Sequence, residues 1–497
     1  MKDLDFRKHL SDKEELTRIA IGMMTIRGLE PEFSFQVREQ LHQIDEPASN
    51  HDSSVRDLRS LPWCSIDNDD SRDLDQLTVT KKSTGKGWNL LVAIADVDAL
   101  VGKGTAIDEH AAINTRSVYT SAKIFPMLPL KLSNNLSSLN PGQDRLALVC
   151  EMHFTEEGEV QKSFIYRAWV HNRAQLAYDN VSDWLEGKAQ LPQTAQEVLG
   201  LDAQIRKQDE LAQVLRLRRH ERGSLEFEIF QPRARFSENN IQAIEQQLHN
   251  RARQLIEEFM IATNGCTSRF LAAAGIYSLR RVVRSPERWL KIVKLAQEYG
   301  VSLPNEPDSQ ALEQFLAKQR RDDPVHFPDL SLVIVKLMGS GEYVAEKPSN
   351  HPLGHFGLAV SDYMHSTAPN RRYPDIITLR LMKSVLVGKP PPYSVEELHS
   401  LAEHCTLQED AARKVERQLR KSEAAMFLRS RIGQVFQGVV SGLNEKGAWI
   451  RIFVPPVEGK LVNGENFSLG KILKVKLIYT HVQLGFIDFS VVEDKED

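Results

Sequence analysis

Five carboxylates fall within nine residues, between Asp67 and Asp75, in the segment IDNDDSRDLDQL of residues 66–77. Carboxylates packed this closely repel one another, which raises their pKa values unless a cation compensates. Their hard oxygen atoms suit Mg²⁺ or Mn²⁺, and such metals activate water and neutralise phosphate during hydrolysis. A calcium loop of EF-hand type is excluded by the spacing of its Gly and Glu positions. The residue types alone leave a metal centre and a solvated acidic loop as equal alternatives.

A second segment whose residue types could take part in catalysis is YMHSTAPNRRYPD, residues 363–375. Its paired arginines, Arg371 and Arg372, follow a turn stiffened by proline. Two adjacent guanidinium groups beside Tyr and His can form a planar fork for phosphate. An Arg-Arg pair by itself is more often a surface feature.

Together the two segments resemble signatures of the ribonuclease II/R family of RNB-domain exoribonucleases. The first resembles the family motif I-D-P-x-x-x-x-D-x-D-D, and the second resembles Y-T-H-F-T-S-P-I-R-R-Y-x-D. Further family elements have counterparts in the same order: VAIADVD (92–98), SVY (117–119) with FPMLP (125–129), LSSL (136–139) and LIEEFMIATN (255–264). The ordered set covers roughly residues 60–420 and is a far stronger signal than any one segment.

The resemblance implies a metal centre. Asp67, Asp73 and Asp75 match the catalytic aspartates and metal ligands, with Mg²⁺ expected and Mn²⁺ an alternative. The fourth family aspartate falls on Gln76, whose carbonyl oxygen can bind a metal but brings no charge. We therefore expect an active enzyme with weakened metal binding, which Asp69 or Asp70 could offset. Arg371 matches the arginine that lies against the phosphate being cleaved and stabilises the charge that develops there.

The resemblance also implies RNA contacts. Tyr119 matches a tyrosine that packs on the 3′-terminal nucleotide, although such a residue in a β segment can equally be a core tyrosine. Tyr178 fits a second tyrosine along the RNA path. Glu257 or Glu258 could reach the terminal ribose hydroxyls, by which a site distinguishes RNA from DNA. Glu416 matches a helix carboxylate that faces the site. Arg372, the neighbour of the catalytic arginine, completes this set of expected RNA contacts.

Composition bounds the class of protein. A chain of 497 residues, with 41% hydrophobic and 26% charged residues, indicates a soluble protein of two to four domains. The four cysteines are far apart and form no Cys-x-x-Cys pair, which argues against a disulfide framework or a structural zinc site and predicts a cytoplasmic location. We find no signal-peptide run and no apolar stretch that could span a membrane.

Charge is informative in its distribution rather than in its sum. The net charge of −4 counts mildly against binding to nucleic acid by charge alone. Basic residues nevertheless concentrate in residues 216–222, 280–284 and 413–421. They predict a basic channel for single-stranded RNA inside an acidic exterior. The alternative is solvated helix faces on which arginines pair with nearby glutamates.

The pattern along the chain predicts an α+β multidomain fold. Residues 1–46 read as a helical module, with a capping box at Ser11 and Glu14, a stop at Gly28 and a second start at Ser34; a helix-turn-helix or winged-helix-like module is one interpretation. Residues 47–60 read as a linker. The RNB-like catalytic domain, residues 61–427, begins with strands to about residue 181. Its helical part follows, with helices predicted over 181–187, 203–222, 241–271 and 286–300.

Residues 431–493 change character. Five short strands in about sixty residues fit an OB barrel. The segments KGAWI and EGKL resemble the S-one type RNA-binding domain of ribosomal proteins, with Trp449 as a candidate RNA contact. An OB fold that binds protein or saccharide is the alternative reading of the strands alone.

These features predict a hydrolytic, metal-dependent 3′-to-5′ exoribonuclease that degrades single-stranded RNA to nucleoside 5′-monophosphates. The chain has no Walker-type loop, so no nucleotide cofactor is expected. We expect a monomer with no membrane partner. The alternative, which rests on Gln76, is a catalytically weak or inactive RNA-binding protein that keeps the RNB scaffold. A DNA-binding regulator that uses residues 1–46 is a third and weaker hypothesis.

Overall fold

The computed structural model describes residues 10–49, 52–81, 86–228, 232–246, 250–348, 353–444, 447–462, 467–468 and 470–492. The helices are α1 (Asp12–Ile26), α2 (Phe35–His42), α3 (Ala106–Asn114), α4 (Tyr178–Leu185), α5 (Gln193–Gln196), α6 (Leu201–Glu221), α7 (Arg251–Ala273), α8 (Trp289–Glu298), α9 (Ser309–Asp322), α10 (Phe327–Met338), α11 (Tyr373–Leu386) and α12 (Val395–Leu428). The first eight strands are β1 (Arg56–Asp57), β2 (Trp63–Asp67), β3 (Gln76–Lys81), β4 (Trp88–Ala95), β5 (Val118–Tyr119), β6 (Ile124–Phe125), β7 (Asp144–Phe154) and β8 (Val160–Ala177). The later strands are β9 (Pro232–Ser237), β10 (Asn240–Gln246), β11 (Ser278–Val282), β12 (Glu342–Glu346), β13 (Val435–Asn444), β14 (Gly447–Ile452), β15 (Val457–Val462), β16 (Ile472–His481) and β17 (Phe486–Val491).

The main sheet has six strands in the order β1-β8-β2-β3-β4-β7. Its long strand β8 pairs with β7 as far as His171 and then with β2 from Asn172 onward. β2 and β8 run parallel, and Asp67 at the end of β2 lies opposite Ala177 at the end of β8. The carboxyl ends of two parallel strands lie at the same edge of a sheet. Asp67 at the end of β2 and Tyr178, which directly follows β8, therefore lie at that edge.

Burial explains why this sheet forms where it does. In β4 every residue from Asn89 to Ala95 is buried, and the run from Leu90 to Ala95 is entirely apolar. Such a run is typical of a strand in a sheet that helices cover. α11 is tied to the sheet by charge as well as by packing. Arg380 on α11 contacts Asp98 and Asp108 at 2.7 and 2.8 Å, and Lys383 contacts Asp96 at 2.9 Å. These pairs fix the helix that follows Arg371 and Arg372.

The helical module predicted for residues 1–46 consists of two helices in its described part, and each docks on the rest of the chain. The capping box is present, with the Ser11 N–H donating to the Glu14 carboxylate at 2.8 Å. α1 buries Leu16, Ala20 and Met24 against α12 and the β5–β6 segment. α2 packs against α3.

Three local expectations are wrong. The predicted linker contains β1, which pairs in parallel with β8 at the edge of the main sheet. The predicted helix over 241–271 begins only at Arg251, because residues 240–246 form β10 in a hairpin with β9. The predicted strand region contains α3, for which Thr105 is the N-cap. In each case a partner distant in sequence, or a local cap, overrides the apolar periodicity.

The C-terminal strands form a closed barrel in the order β13-β14-β15-β17-β16, as predicted for an OB fold. The end of α12 belongs to the same apolar cluster, since Ala424, Ala425 and Leu428 pack with the barrel core. Arg451 on β14 contacts Asp329 on α10 at 2.8 Å, so a second contact holds the barrel to the catalytic domain. Within the described ranges, no helix combines the length and apolar character needed to cross a membrane.

Candidate active site

The acidic loop joins the end of β2 to the start of β3 and is held from outside the loop. The Leu74 N–H donates to the Ser138 hydroxyl at 2.9 Å, and that hydroxyl donates to the Arg72 carbonyl at 2.8 Å. The Leu139 N–H donates to the Leu74 carbonyl at 2.9 Å. The segment LSSL therefore clamps the loop on both sides of Asp73.

The structure brings the two sequence signatures together at Asp75. This carboxylate is 1% exposed and accepts two hydrogen bonds from the second signature. The Asn370 N–H donates to Asp75 Oδ1 at 2.8 Å, and Arg371 Nε donates to Asp75 Oδ2 at 3.0 Å. The Arg371 side chain remains 42% exposed, so the rest of its guanidinium group is open to a ligand.

Burial and mutual repulsion make these carboxylates hard to ionise. Burial raises the pKa of Asp75 to about 7, against the attraction of Arg371 and with support from the nearby charge of Asp73. Burial likewise raises the pKa of Asp67, with Arg371 again opposing and Asp73 reinforcing the shift. A cation bound among these groups would reverse both shifts. The site therefore has too little positive charge to keep its carboxylates at their ordinary pKa values. Raised pKa values in the absence of a cation are what the sequence predicts.

Tyr119 lies beside this cluster. Its hydroxyl donates to Asp73 Oδ2 at 2.9 Å, and its backbone N–H donates to Glu416 Oε1 at 3.1 Å. Glu416 also accepts from Arg116 at 2.9 Å. The Ser117 N–H donates to the Arg371 carbonyl at 3.0 Å, which sets the Tyr119 segment alongside the second signature. Glu416 is thus placed to position Tyr119.

Tyr178 occupies the first position of α4, next to Asp67. The guanidinium carbon of Arg253 lies 4.5 Å from the centre of its ring, and the same arginine donates to Asn68 Oδ1 at 2.7 Å. Burial raises the pKa of the Tyr178 phenol, and the charge of Asp67 adds to the shift. Tyr178 therefore lies near Asp67, with Arg253 packed on its ring.

The other expected RNA contacts pair with charged groups outside the acidic loop, although Arg372 lines a pocket together with Tyr119 and Arg371. Arg372 donates to Asp375 at 2.7 Å and to the Thr367 hydroxyl at 3.4 Å, so its guanidinium group holds the start of α11. Glu258 is 3% exposed and pairs with Arg219 at 2.5 Å. Glu257 lies 3.6 Å from the same arginine and is 43% exposed.

A channel of about 1600 Å³ leads to Asp73, Tyr119 and Arg371. Eleven Lys and Arg side chains and six carboxylates line it, although the whole chain carries a net charge of −4. Its walls come from α1, the β5–β6 segment, the β9–β10 hairpin, the acidic loop and α12. A second pocket, of about 400 Å³, adjoins it at Arg116, Tyr119, Arg371 and Arg413. The site opens on this channel, which residues 413–421 line as expected, whereas no residue of the basic segments 216–222 and 280–284 lines it. Arg216, Arg219, Arg281 and Arg284 in those two segments pair with glutamates instead.

Comparison with known proteins places this arrangement in a family. The RNB domain matches residues 55–388, and the RNase II-type exonuclease C-terminal S1 domain matches residues 434–492. The chain belongs to the RNB family. The resemblance drawn from the two signatures is confirmed, and so is the α+β core with a C-terminal barrel.

This RNB protein is similar to several proteins named Ribonuclease R. It is 31% identical to that of Escherichia coli (strain K12) over 92% of its own length and 60% of the relative's. The identity to Ribonuclease R of Thermotoga maritima is 30%, over 89% of this chain and 65% of the relative's. The chain thus spans about 60% of the length of the first relatives that it matches.

Solved structures show the same fold. The apo form of Mycoplasma genitalium RNase R superposes with a TM-score of 0.86 at 22% identity, and the match covers 96% of this chain and 78% of that chain. Yeast Ssd1, described as a pseudonuclease, superposes with a TM-score of 0.70 at 16% identity over 94% of this chain and 57% of that chain. At these identities the likeness concerns the fold alone.

The donor set fits a divalent cation in type and charge. The two donors to Asp75 occupy both of its oxygen atoms, whereas Tyr119 contacts one oxygen of Asp73, and Asn68 and Ser71 contact one oxygen of Asp67. Among the described residues no group of three or more His, Cys, Asp or Glu side chains is already gathered around a metal position. Mg²⁺ commonly uses one or two protein carboxylates and completes its shell with water and substrate phosphate. Asp67 and Asp73 suit that arrangement.

Gln76, the departure from the family signature, is the first residue of β3 and is 5% exposed. Its backbone lies in register with Ile94 on β4. Asp75 is the last residue of the acidic loop, and Gln76 follows it directly as the first residue of the strand. The substitution of Gln for Asp therefore acts beside the Asp75–Arg371 contact rather than within it.

Several supporting residues had no role assigned from the sequence. Ser137 Oγ donates to Asn370 Oδ1 at 2.6 Å and so holds the residue whose N–H binds Asp75. This gives Asn370, which departs from the family signature, a physical role. Ser137 and Ser138 thus hold the arginine segment and the acidic loop from adjacent positions. The resemblance of LSSL to a family element indicated that this segment matters. No local pattern in the sequence predicts the hydrogen bond between Ser137 and Asn370.

Trp449 does not line the channel. It lies in β14, where buried residues alternate with partly exposed ones, and Trp449 is partly exposed on the outer face of the barrel. It pairs in register with Gly442 and Lys460. An RNA contact at Trp449 would therefore lie outside the channel itself.

Proposed function

We propose that this RNB protein is a hydrolytic exoribonuclease that removes nucleotides from the 3′ end of single-stranded RNA and releases nucleoside 5′-monophosphates. The observation that carries the proposal is the contact of Asp75 with Arg371 at the end of a basic channel. The direction of degradation is the one that the family resemblance implies. Support for an RNA substrate also comes from Mycoplasma genitalium RNase R, solved in complex with ribose-methylated single-stranded RNA.

In this mechanism Asp75 orients Arg371. Because Nε is held by a buried carboxylate, the two terminal nitrogens of Arg371 face the channel in a fixed plane. That fork matches two oxygens of a phosphodiester, and its interaction strengthens as negative charge builds up during attack. Arg371 therefore acts mainly on the rate constant of cleavage.

Tyr119 and the adjoining pocket set the position of the terminal nucleotide. A ring at the junction of channel and pocket can stack on any base, which suits degradation without sequence preference. The pocket of about 400 Å³ falls in the range of sites that enclose a small ligand, about 300–1,000 Å³. The phosphate that precedes the enclosed nucleotide would then lie at Arg371.

RNB-family exoribonucleases generally depend on a divalent metal, and we propose Mg²⁺, with Mn²⁺ able to replace it. Asp67 and Asp73 would hold the cation, with Asp75 and Gln76 beside them. The bound cation would activate water and polarise the phosphate. The part of the protein would be to present to the cation the second oxygen of Asp67 and of Asp73, since the first oxygen of each already accepts hydrogen bonds from the protein.

The test uses a 5′-labelled single-stranded RNA of about thirty nucleotides. With Mg²⁺ we expect a ladder that shortens from the 3′ end and nucleoside 5′-monophosphates as the product. EDTA should stop the reaction and excess Mg²⁺ should restore it. Degradation that ignores EDTA would contradict the metal, and labelled mononucleotide at the earliest times would contradict the direction.

A second function is favoured by Gln76, namely RNA binding with little or no cleavage. A missing carboxylate lowers the charge available to a metal, and the fold is shared with yeast Ssd1, a pseudonuclease. Gln76→Asp distinguishes the two functions. If the wild type is inactive at millimolar Mg²⁺ or Mn²⁺ and the variant cleaves RNA, the binding function is correct. Comparable activity of both proteins supports the enzyme.

The expected monomer and cytoplasmic location stay predictions. All four cysteines are free and buried, which suits a reducing compartment. Sedimentation of the purified chain and localisation of the tagged chain in its own cell test these two points.

A further inference from the structure

We propose that α1 is an RNA-binding wall of the channel, and that Lys13 and Arg18 hold the backbone phosphates of the incoming strand before it reaches Arg371. This inference rests on the proposed function, because it assumes that the channel carries RNA. It assigns a binding role to a helix that lies outside both matched domains, residues 55–388 and 434–492.

The helix is fixed with one face toward the channel. Its apolar face is fully buried, since Leu16 and Ala20 are 0% exposed against Val415 and Leu419 of α12. Lys13, Thr17 and Arg18 line the channel. The Lys13 N–H donates to the Asn239 carbonyl at 3.1 Å, which ties the start of the helix to the β9–β10 hairpin. The cations therefore stand on a rigid support.

The acidic residues of α1 are already engaged with other groups. Glu14 accepts from the N–H and the hydroxyl of Ser11 at 2.8 and 2.9 Å. Asp12 Oδ2 accepts from the Ile241 N–H at 3.0 Å, and Glu15 lies 3.8 Å from Arg429. In contrast, neither the Lys13 nor the Arg18 side chain forms an ion pair with any residue in the described ranges, and both are exposed. The helix therefore presents to the channel two cations that have no ion-pair partner among the described residues, against the single carboxylate of Glu14.

On the wall formed by α12, some cations pair with carboxylates and others do not. Arg413 and Lys414 pair with Glu409 and Asp410 one turn earlier, at 2.8 and 2.6 Å. Arg417 lines the channel without such a partner among the described residues, whereas Arg420 lies close enough to Glu423 to lower the pKa of that carboxyl. Free cations thus flank the channel on two packed helices, and a flexible polyanion is the ligand that fits between them.

The barrel contributes none of the residues that line this channel in the described part of the chain. The strand that enters must therefore be held by groups nearer the site than Trp449. Because α1 and α12 are packed together, the separation of their cations is fixed by the fold. Contacts of this kind set the register of a strand without reading its bases.

The experiment compares wild type with Lys13→Gln/Arg18→Gln in binding to fluorescent oligoadenylates in EDTA, from three to twenty nucleotides long. For single strands each phosphate contact contributes about 0.7 to the slope of log K against log salt. Loss of two contacts should lower the slope by about 1.4 and the affinity for the longest RNA about 25-fold at ~0.1 M salt. The loss should grow with RNA length.

The matched control is Arg38→Gln, which removes an exposed cation from α2 away from the channel. We expect the control to bind as the wild type does, and circular dichroism should show equal helix content in all three proteins. An unchanged salt slope in the double variant, or an equal loss at every RNA length, overturns the inference while wild-type binding still supports the proposed function. A wild type that neither binds nor degrades RNA overturns both.

Discussion

Arg371 Nε donates to Asp75 Oδ2 at 3.0 Å across 296 positions of the chain. The contact joins the acidic signature to the arginine signature, so it links the group expected to contact phosphate to the carboxylates expected to hold the metal. The Asn370 N–H binds the other oxygen of Asp75 at 2.8 Å. Asp75 therefore has two tasks: it contributes charge to the cluster, and it sets the plane of Arg371.

Asp75→Asn should abolish cleavage and leave RNA affinity equal or higher. An amide has one oxygen, so it cannot accept from both Asn370 and Arg371, and it removes one negative charge that repels the substrate phosphate. Single-turnover cleavage and equilibrium binding measured on the same preparation check this prediction. The control is Asp202→Asn, an exposed carboxylate at the start of α6. Wild-type cleavage by the Asp75 variant would contradict the assignment.

Arg371→Lys and Arg372→Lys should fail in different ways. Lysine cannot keep the Nε contact while it offers a fork to phosphate, so Arg371→Lys should lower the rate constant of cleavage by about 10²–10³ with a small change in KM. Arg372 holds Asp375 and Thr367, so Arg372→Lys should lower the free energy of unfolding by about 1–3 kcal/mol. Steady-state kinetics and urea unfolding of both variants separate the roles. A loss of the same kind in both would show that the two arginines act as one unit.

Tyr119 offers a test of stacking against hydrogen bonding. Tyr119→Phe keeps the ring and loses the hydrogen bond to Asp73, so affinity for RNA should change little. Tyr119→Ala removes the ring and should weaken binding of the RNA end by about 1–3 kcal/mol. Titration with a short oligonucleotide measures both effects. Equal affinity of the Ala and Phe variants would show that the ring does not stack on a base.

Glu423 should make stability depend on pH. It is 2% exposed, burial raises its pKa to about 7 from 4.5, and its Oε1 has no hydrogen-bond partner among the residues that the structure describes. The folded state therefore binds the proton more tightly than the unfolded state does. The free energy of unfolding should fall as pH rises from 4.5 to 7, by up to about 3 kcal/mol from this group.

Glu423→Gln should remove that dependence, because an amide at this position carries no charge at any pH. Urea unfolding of wild type and variant at pH 5 and pH 8 gives the comparison. The variant should be the more stable protein at pH 8, and the difference should shrink at pH 5. A difference that is the same at both pH values would mean that Glu423 is ionised throughout.

The sequence indicated the parts of the site better than their arrangement. Spacing of the carboxylates and of the two arginines pointed to the groups that meet, and alternating residues predicted the barrel strands. Arg372 and Glu258 were expected near RNA, but each pairs with an opposite charge, with Asp375 and Arg219 respectively. The partner of Glu258 lies 39 positions earlier in the chain, and no local pattern encodes that pairing. The same reason hides β10, whose strand conformation depends on its hairpin partner β9.

The packing of α1 on α12 also means that the apolar face of α1 is not fully covered in the nascent chain until α12 is synthesised. The apolar face of α1 includes Leu16 and Ala20, and its partners Val415 and Leu419 lie about 400 residues later in the sequence. At roughly 5–20 residues per second the ribosome needs about 20–80 seconds to add that length. Throughout this interval α12 is missing, and the apolar side of the helix has only the β5–β6 segment as a partner among the buried residues of this cluster. Chaperone contact during translation, or aggregation without it, should therefore concentrate on α1, and a shortened α12 should prolong that exposure.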